Sequence, residues 1–123
     1  MIGESVSRKE DLPLLTGSGR YLDDLARPGM LYLGVVRSPH AHARIGAIST
    51  AEAASLPGVV AVASAEDLLE VSHPIPPYKS ERRFRAFDQH VLAKTVVRYV
   101  GEPVAVVVAV DPVRLAEALE AVA

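Results

Sequence analysis

The most chemical-looking residues are a close pair, His40-Ala41-His42. In an extended chain, residues two apart point to the same side, so both imidazoles could meet one metal ion. A zinc or iron site needs a third or fourth ligand. The remaining two histidines, His73 and His90, fall in an irregular segment without supporting spacing. Loop hydrogen bonding is therefore the simpler expectation for all four. Thr16-Gly17-Ser18-Gly19 has the composition of a phosphate cradle. It lacks the Gly-Lys-Ser/Thr ending or the third glycine that such a loop carries between a strand and a helix. A turn is the expectation there. Asp23-Asp24 and Glu66-Asp67 are adjacent acids, and adjacency does not make two carboxylates converge on a cleft. Arg82, Arg83 and Arg85 surround Phe84. Their guanidinium forks could clamp a phosphate or carboxylate, against the plainer reading of a solvated or partner-contacting loop. Ser5, Ser7 and Ser18 lie in no nucleophile elbow. No self-sufficient active site emerges, so we assign no catalytic, cofactor-binding or metal-ligating residue.

Composition narrows the classes further. The chain has 123 residues, 13 Lys plus Arg against 15 Asp plus Glu, a net charge of −2, and no cysteine. That charge argues against a nucleic-acid binder. The lack of cysteine removes disulfides, thiolate catalysis and iron–sulfur ligation by this chain. The longest apolar run, Val104 to Val110, is too short to span a bilayer. No secretory signal pattern opens the chain, and the default setting is cytoplasmic. Half the residues are hydrophobic. A chain this long should bury roughly two-thirds of its unfolded surface.

The elements that would position these residues follow from pattern. Residues 1–28 carry Gly3, Pro13, Gly17, Gly19 and Pro28 and read as an extended arm with turns. Met30–Ser38 reads as a buried strand, stopped by Pro39. Arg44–Ser49 reads as a second strand. Thr50 is a candidate N-cap for a helix over Ala51–Leu56, which Pro57-Gly58 ends. Val59–Ala63 is a third strand. Ser64 with Asp67 resembles a capping box for a short helix over Ala65–Leu69. Val71–Leu92 is a long irregular segment of the kind that is functional or bound to a partner. Lys94–Val100 reads as a strand, Gly101-Glu102-Pro103 as a turn, and Val104–Val110 as a strand buried on both faces. Asp111-Pro112 is a strong helix start. Leu115, Leu119 and Val122 then share one face, with no stop signal before Ala123. A helix well begun and not ended suggests that more polypeptide follows. The order β, β, α, β, α, loop, β, β, α implies one domain of mixed α/β or α+β class over residues 1–123.

Read as phrases, the sequence resembles the large subunits of molybdenum hydroxylases: xanthine dehydrogenase, aldehyde oxidase and aerobic carbon monoxide dehydrogenase. The phrases are Arg8-Lys9-Glu10-Asp11, then Thr16-Gly17 through Arg20-Tyr21 to Asp24, and Pro28-Gly29-Met30-Leu31. The likeness is tightest over Val36-Arg37-Ser38-Pro39-His40-Ala41-His42-Ala43-Arg44-Ile45. It continues over Leu56–Val62, at Asp67, and over Val97–Ala109 with its Gly101-Glu102-Pro103-Val104-Ala105 centre. It covers nearly all the chain outside the loop between Leu68 and Val91. The opening is closest in style to the carbon monoxide dehydrogenase large chain.

The resemblance implies an α/β hammerhead domain at the start of such a subunit. It also implies a molybdenum–pterin cofactor in the complete enzyme, with [2Fe–2S] clusters and FAD on partner domains or subunits. Partners would be the remainder of the large subunit, an iron–sulfur subunit and a flavin subunit. Full large subunits are several times longer. Their pterin-binding glycine-rich segments and glutamate base lie beyond this chain, so no catalytic or cofactor residue carries over. The strand and acidic, proline-containing phrase that follow the last helix in the family are missing. At Ser49 the family often has Asp. The expected roles are structural: Arg37, Ser38, Pro39 and His42 organise the turn after the first main strand, and Gly101 and Pro103 shape a hairpin before the central strand. The arm from Arg8 to Asp24 is a candidate docking surface. Three functions compete: a hydroxylase domain inactive alone, a stand-alone interaction or assembly module derived from it, and a small metal binder using His40 and His42. An isolated domain should also expose apolar surface and self-associate.

Overall fold

The core of the larger unit is a small antiparallel sheet with helices laid against one face. The computed structural model describes residues 2–3, 5–76 and 89–123. It divides into two compact units, Met1–Met30 and Leu31–Ala123. Arg82 to Arg85, with their candidate anion clamp, lie outside the described residues.

The first unit is less extended than its glycines and prolines led us to expect. It holds a short helix, α1 (Asp11–Leu15), and a 3-10 turn at Leu22–Asp24. Its side chains find little cover. Val6 is 78% exposed, Leu15 85% and Leu22 84%.

In the second unit, β1 (Tyr32–Arg37), β3 (Val59–Ser64) and β5 (Pro103–Ala109) form an antiparallel sheet in the order β1-β5-β3. Between them in sequence lie β2 (Ala43–Arg44), α2 (Ala51–Ser55) and β4 (Val96–Val97), and α3 (Pro112–Glu120) follows β5. The two short strands β2 and β4 pair only with each other. Among the described residues, β1 and β3 each pair on one edge only.

Register sorts the side chains of the main sheet. Val107 lies opposite Gly34 on one side and Val62 on the other. All three face the helices. Val107 joins Ala53 of α2 and Ala118 of α3 in a fully buried core, with Val36, Leu56, Leu115 and Leu119 around it. Burying a valine of this kind stabilises by about 1.5–3 kcal/mol. Gly34 is what lets α3 come close. A Cβ built there would lie 2.8 Å from Leu119 Cδ1 and 3.1 Å from Leu115 Cδ1.

α3 begins as the sequence requires. Asp111 is extended, and its carboxylate accepts the Arg114 backbone N–H at 2.9 Å with Pro112 in the first turn. Its C-terminal end, which carries no stop signal in the sequence, is fastened by tertiary contact. Ala123 and Ser49 exchange backbone hydrogen bonds of 2.6 and 3.2 Å.

Several expected elements are shorter or different. The strand over Arg44–Ser49 reduces to Ala43–Arg44, and that over Lys94–Val100 to Val96–Val97. One further bond, from Ile45 N–H to the Thr95 carbonyl at 2.9 Å, extends their ladder. Thr50 does not cap α2 with its side chain, because its backbone is already helical (φ −105, ψ −9). The helix over Ala65–Leu69 is a run of turns. There the Asp67 carboxylate accepts both the Ser64 N–H at 2.7 Å and the Ser64 hydroxyl at 3.0 Å. Those two bonds hold its pKa below the ordinary 3.8, the backbone donor contributing most. The central strand is fully buried only at alternate positions, Ala105, Val107 and Ala109. The helices cover one face of the sheet, and Val104, Val106 and Val108 on the other are half-buried.

Candidate functional site

The two buried polar side chains among the described residues are Ser38 and Glu102, 7% and 4% exposed. They come from the two phrases with the strongest family character, and the fold brings those phrases into contact. β1 bulges between Val36 and Arg37, so that Arg37 lies opposite Pro103. The chain then turns at Pro39. Ser38 N–H donates to the Glu102 carbonyl at 3.0 Å, and Gly101 N–H returns a bond to the Ser38 carbonyl at 2.7 Å. The Arg37 guanidinium donates to the Gly101 carbonyl at 2.8 Å. Ser38 Oγ accepts His40 N–H at 3.1 Å, a serine turn that closes around Pro39.

The other half of this clasp is the turn at Tyr99–Glu102. Glu102 N–H donates to the Tyr99 carbonyl at 3.2 Å, and Gly101 takes φ +89, a conformation that favours glycine. The Glu102 carboxylate accepts the Arg98 backbone N–H and lies 3.7 Å from the Arg98 guanidinium. That guanidinium is 58% exposed, so the ion pair itself contributes little. The carboxylate is held chiefly by the backbone donor. Further out, Gln89 Nε2 donates to the Tyr99 hydroxyl at 2.6 Å. Gln89 also forms an isolated antiparallel bridge with Ile75, with bonds of 2.7 and 3.0 Å. The clasp thus runs from β1 through the Tyr99–Glu102 turn to the base of the long segment between Ile75 and Gln89.

This geometry corrects two expectations. Gly101 and Pro103 do not shape a hairpin, since β4 pairs with β2 and β5 pairs with β1 and β3. Their turn carries the chain from the small sheet to the large one. The turn after β1 is closed by Ser38 and the backbone of His40, and not by the His42 imidazole. Glu102 and Arg98 are the members that sequence reasoning missed. The available signal was a glutamate set between Gly101 and Pro103, where the turn leaves a carboxylate to be buried.

The other candidates disperse. His40 and His42 are exposed. No group of three or more His, Asp or Glu side chains able to hold a metal ion occurs among the described residues. His73 and His90 do come together, lining one open cavity of about 240 Å³ with Leu68, Ser72, Leu92 and Lys94. The Thr16–Gly19 segment is a helix-ending turn. Ser18 and Gly19 N–H both donate to the Pro13 carbonyl at 2.8 and 2.9 Å, and Thr16 Oγ1 donates to the Leu12 carbonyl at 2.8 Å. Those donors are already engaged, so no anion cradle is left. Asp24 accepts the Tyr21 N–H at 2.9 Å, a local cap. Every buried side-chain polar atom among the described residues has a partner. The site is a closed structural join with no free nucleophile–base pair.

Residues 16–123 match the family model for the aldehyde oxidase and xanthine dehydrogenase a/b hammerhead domain. The chain is 45% identical over 109 residues to the nicotine 6-hydroxylase large subunit of Paenarthrobacter nicotinovorans, covering 89% of this chain and 13% of that one. It is 43% identical to the carbon monoxide dehydrogenase large chain of Afipia carboxidovorans, covering 94% of this chain and 14% of the relative. The crystal structure of quinoline 2-oxidoreductase from Pseudomonas putida 86 superposes with a TM-score of 0.88 at 45% identity, over 98% of this chain and 15% of that one. The chain therefore spans about one-seventh of the length of these relatives. In sequence and in fold, the chain belongs to the aldehyde oxidase and xanthine dehydrogenase hammerhead-domain family.

Proposed function

We propose that this chain serves as the N-terminal structural and subunit-docking domain of a molybdopterin-dependent oxidoreductase, a molybdenum hydroxylase whose large subunit is like that of carbon monoxide dehydrogenase. Its partners in this reading are the remainder of the large subunit, an iron–sulfur subunit and a flavin subunit. The observation that carries the reading is the near-complete coverage of this chain by large subunits of which it spans a small fraction. The residues described here do not fit a molybdenum–pterin group. They offer no cluster of metal ligands and no unpartnered buried donor to grip a pterin. We assign them no chemical step. The molybdenum chemistry would be supplied by other parts of the assembly, and this chain would contribute scaffold and contact surface.

The first unit supports a docking role through its exposed leucines, Leu12, Leu15 and Leu22. Trimming the arm from Arg8 to Asp24 should weaken assembly of the complex and leave the sheet intact. An unchanged complex after trimming would remove the arm from that role. The reading as a whole is tested on source cells. An antibody to this domain should detect a polypeptide several times larger than 13.1 kDa, and molybdenum should co-purify with it. A band at 13.1 kDa without molybdenum would point instead to a stand-alone assembly module.

A further inference from the structure

The main sheet and the clasp are held by different means. The sheet closes on buried aliphatic side chains, with Ala53, Val107 and Ala118 at their centre. The clasp closes by hydrogen bonds, and most side chains that make them are open to water. Tyr99 is 43% exposed, and Arg37, Gln89 and Arg98 are exposed as well. Ser38 and Glu102 are the exceptions, and of the two only Glu102 carries a charge. Glu102 joins three places in the chain. Its carboxylate accepts the Arg98 N–H. Its carbonyl accepts the Ser38 N–H at 3.0 Å, and its own N–H donates to the Tyr99 carbonyl at 3.2 Å. The next carbonyl, that of Pro103, accepts the N–H of buried Ala93 at 2.7 Å. The Tyr99 hydroxyl in turn reaches Gln89, whose backbone is bonded to Ile75. An unbroken run of bonded residues therefore leads from Ser38 through Glu102 and Tyr99 to the Ile75–Gln89 bridge. None of these bonds involves Ala53, Val107 or Ala118.

We propose that these residues form a latch with the Glu102 carboxylate as its pin. The end of β1, the Tyr99–Glu102 turn and the Ile75–Gln89 bridge close and open together as one local unit, while the main sheet stays shut. Regions held by solvent-exposed hydrogen bonds, with little buried apolar surface, open at lower free energy than a packed core, and they open as contiguous units. Hydrogen bonds to an ionised acceptor are the strong ones, and a buried charge that loses its donor is costly. The Glu102 carboxylate is therefore stable in two settings, bonded inside the closed turn or released to water. A buried, unbonded setting between them is disfavoured, so the turn has two positions and does not loosen gradually. Tyr99 belongs to the same turn, so its hydroxyl moves with the carboxylate and takes Gln89 along. Glu102 is thus a positioning residue, acting on Ile75 and Gln89 through Tyr99. Nothing in the latch depends on which assembly the chain joins.

The test is amide hydrogen exchange, read residue by residue by mass spectrometry, on the complete polypeptide that carries this chain, produced in the source cells. Two variants act on opposite ends of the latch. Glu102→Gln keeps the shape of the side chain and removes its charge. Tyr99→Phe removes only the hydroxyl of a partly exposed ring and leaves Glu102 untouched. Each variant should speed exchange of the Ser38, Gly101, Ile75 and Gln89 amides several-fold and by a common factor. The amides from Val106 to Val108 in the main sheet should keep their wild-type rates. A purely local role would let each variant move only its own neighbours, Ser38 and Gly101 for Glu102→Gln, and Ile75 and Gln89 for Tyr99→Phe. That result would overturn the latch in favour of two independent joins. Acceleration of Val106 to Val108 by the same factor would overturn it in favour of a single global unit. Wild-type rates throughout in Glu102→Gln would overturn it by removing the pin.

Discussion

The two faces of the β1-β5-β3 sheet are built from the same kind of sequence and end in different environments. On the helix side, β5 presents Ala105, Val107 and Ala109, all fully buried. On the other side the same strand presents Val104, Val106 and Val108, all partly open. On β5, two of the three positions on the crowded face are alanine, and all three on the other face are valine. Small residues on the crowded face, with Gly34 opposite Val107, let α2 and α3 approach closely. Valines on the other face cannot owe their place to the helix layer. A buried residue count would have merged the two faces, and only the register separates them.

Substitutions can break or sharpen this contrast. The largest effect is expected at Val107. Val107→Ala should lower stability by about 2–3 kcal/mol through lost burial and a residual cavity, whereas Val106→Ala should cost well under half as much. Urea denaturation of both variants checks this, and equal losses would break the contrast. Gly34→Val comes next, at about 1–3 kcal/mol, because its methyls would enter the space of Leu115 and Leu119. Valine at the same depth on the other face, in Ala63→Val, should be tolerated, and paired thermal melts would show the difference. Asp111→Ala should cost about 1 kcal/mol by uncapping the helix that covers the closed face. Asp111→Ser, which keeps a side-chain acceptor at the cap, should cost far less in the same melts.

The smallest effect lies outside both faces, at Asp67. Its folded pKa is lowered by the Ser64 donors. The carboxylate therefore favours the fold at pH above its ordinary value of 3.8, and that contribution is lost as pH falls through the lowered folded value. In an NMR titration, Asp67 should titrate below 3.8. Ser64→Ala should move its midpoint upward while the Val107 environment stays unchanged. An unmoved midpoint would mean that the Ser64 hydroxyl contributes nothing measurable.

The parts legible in the sequence were those decided by near neighbours. Asp111-Pro112 announces a helix because cap and first turn lie within a few residues of each other. The run from Val104 to Val110 announces a central strand because few other places accept seven apolar residues. Thr50 has the right chemistry for a cap, but its helical backbone turns the hydroxyl away from that task. The strands over Arg44–Ser49 and Lys94–Val100 were drawn too long because alternation marks which way side chains face, not whether a partner strand is present. The same limit produced the false hairpin at Gly101-Pro103. In the clasp, the phrases around Ser38 and Gly101 stood out locally. The bonds between them cross more than sixty positions, and nothing in the local pattern of Glu102 specifies what will close over it.

The single-sided pairing of β3 among the described residues has a practical consequence for handling the isolated domain. Val59–Ser64, with the sequence VVAVAS, contains no charge and no proline, the two features that most often keep a free strand edge from recruiting a like strand. Among the described residues, the irregularity between Val59 and Ala61 disturbs the ladder at one end. Segments of this length and composition are templates for cross-β stacking. Concentrated stocks should therefore be lost to fibrils after a lag that seeding shortens, and Ala61→Lys, a charge at the middle of the edge, should lengthen that lag.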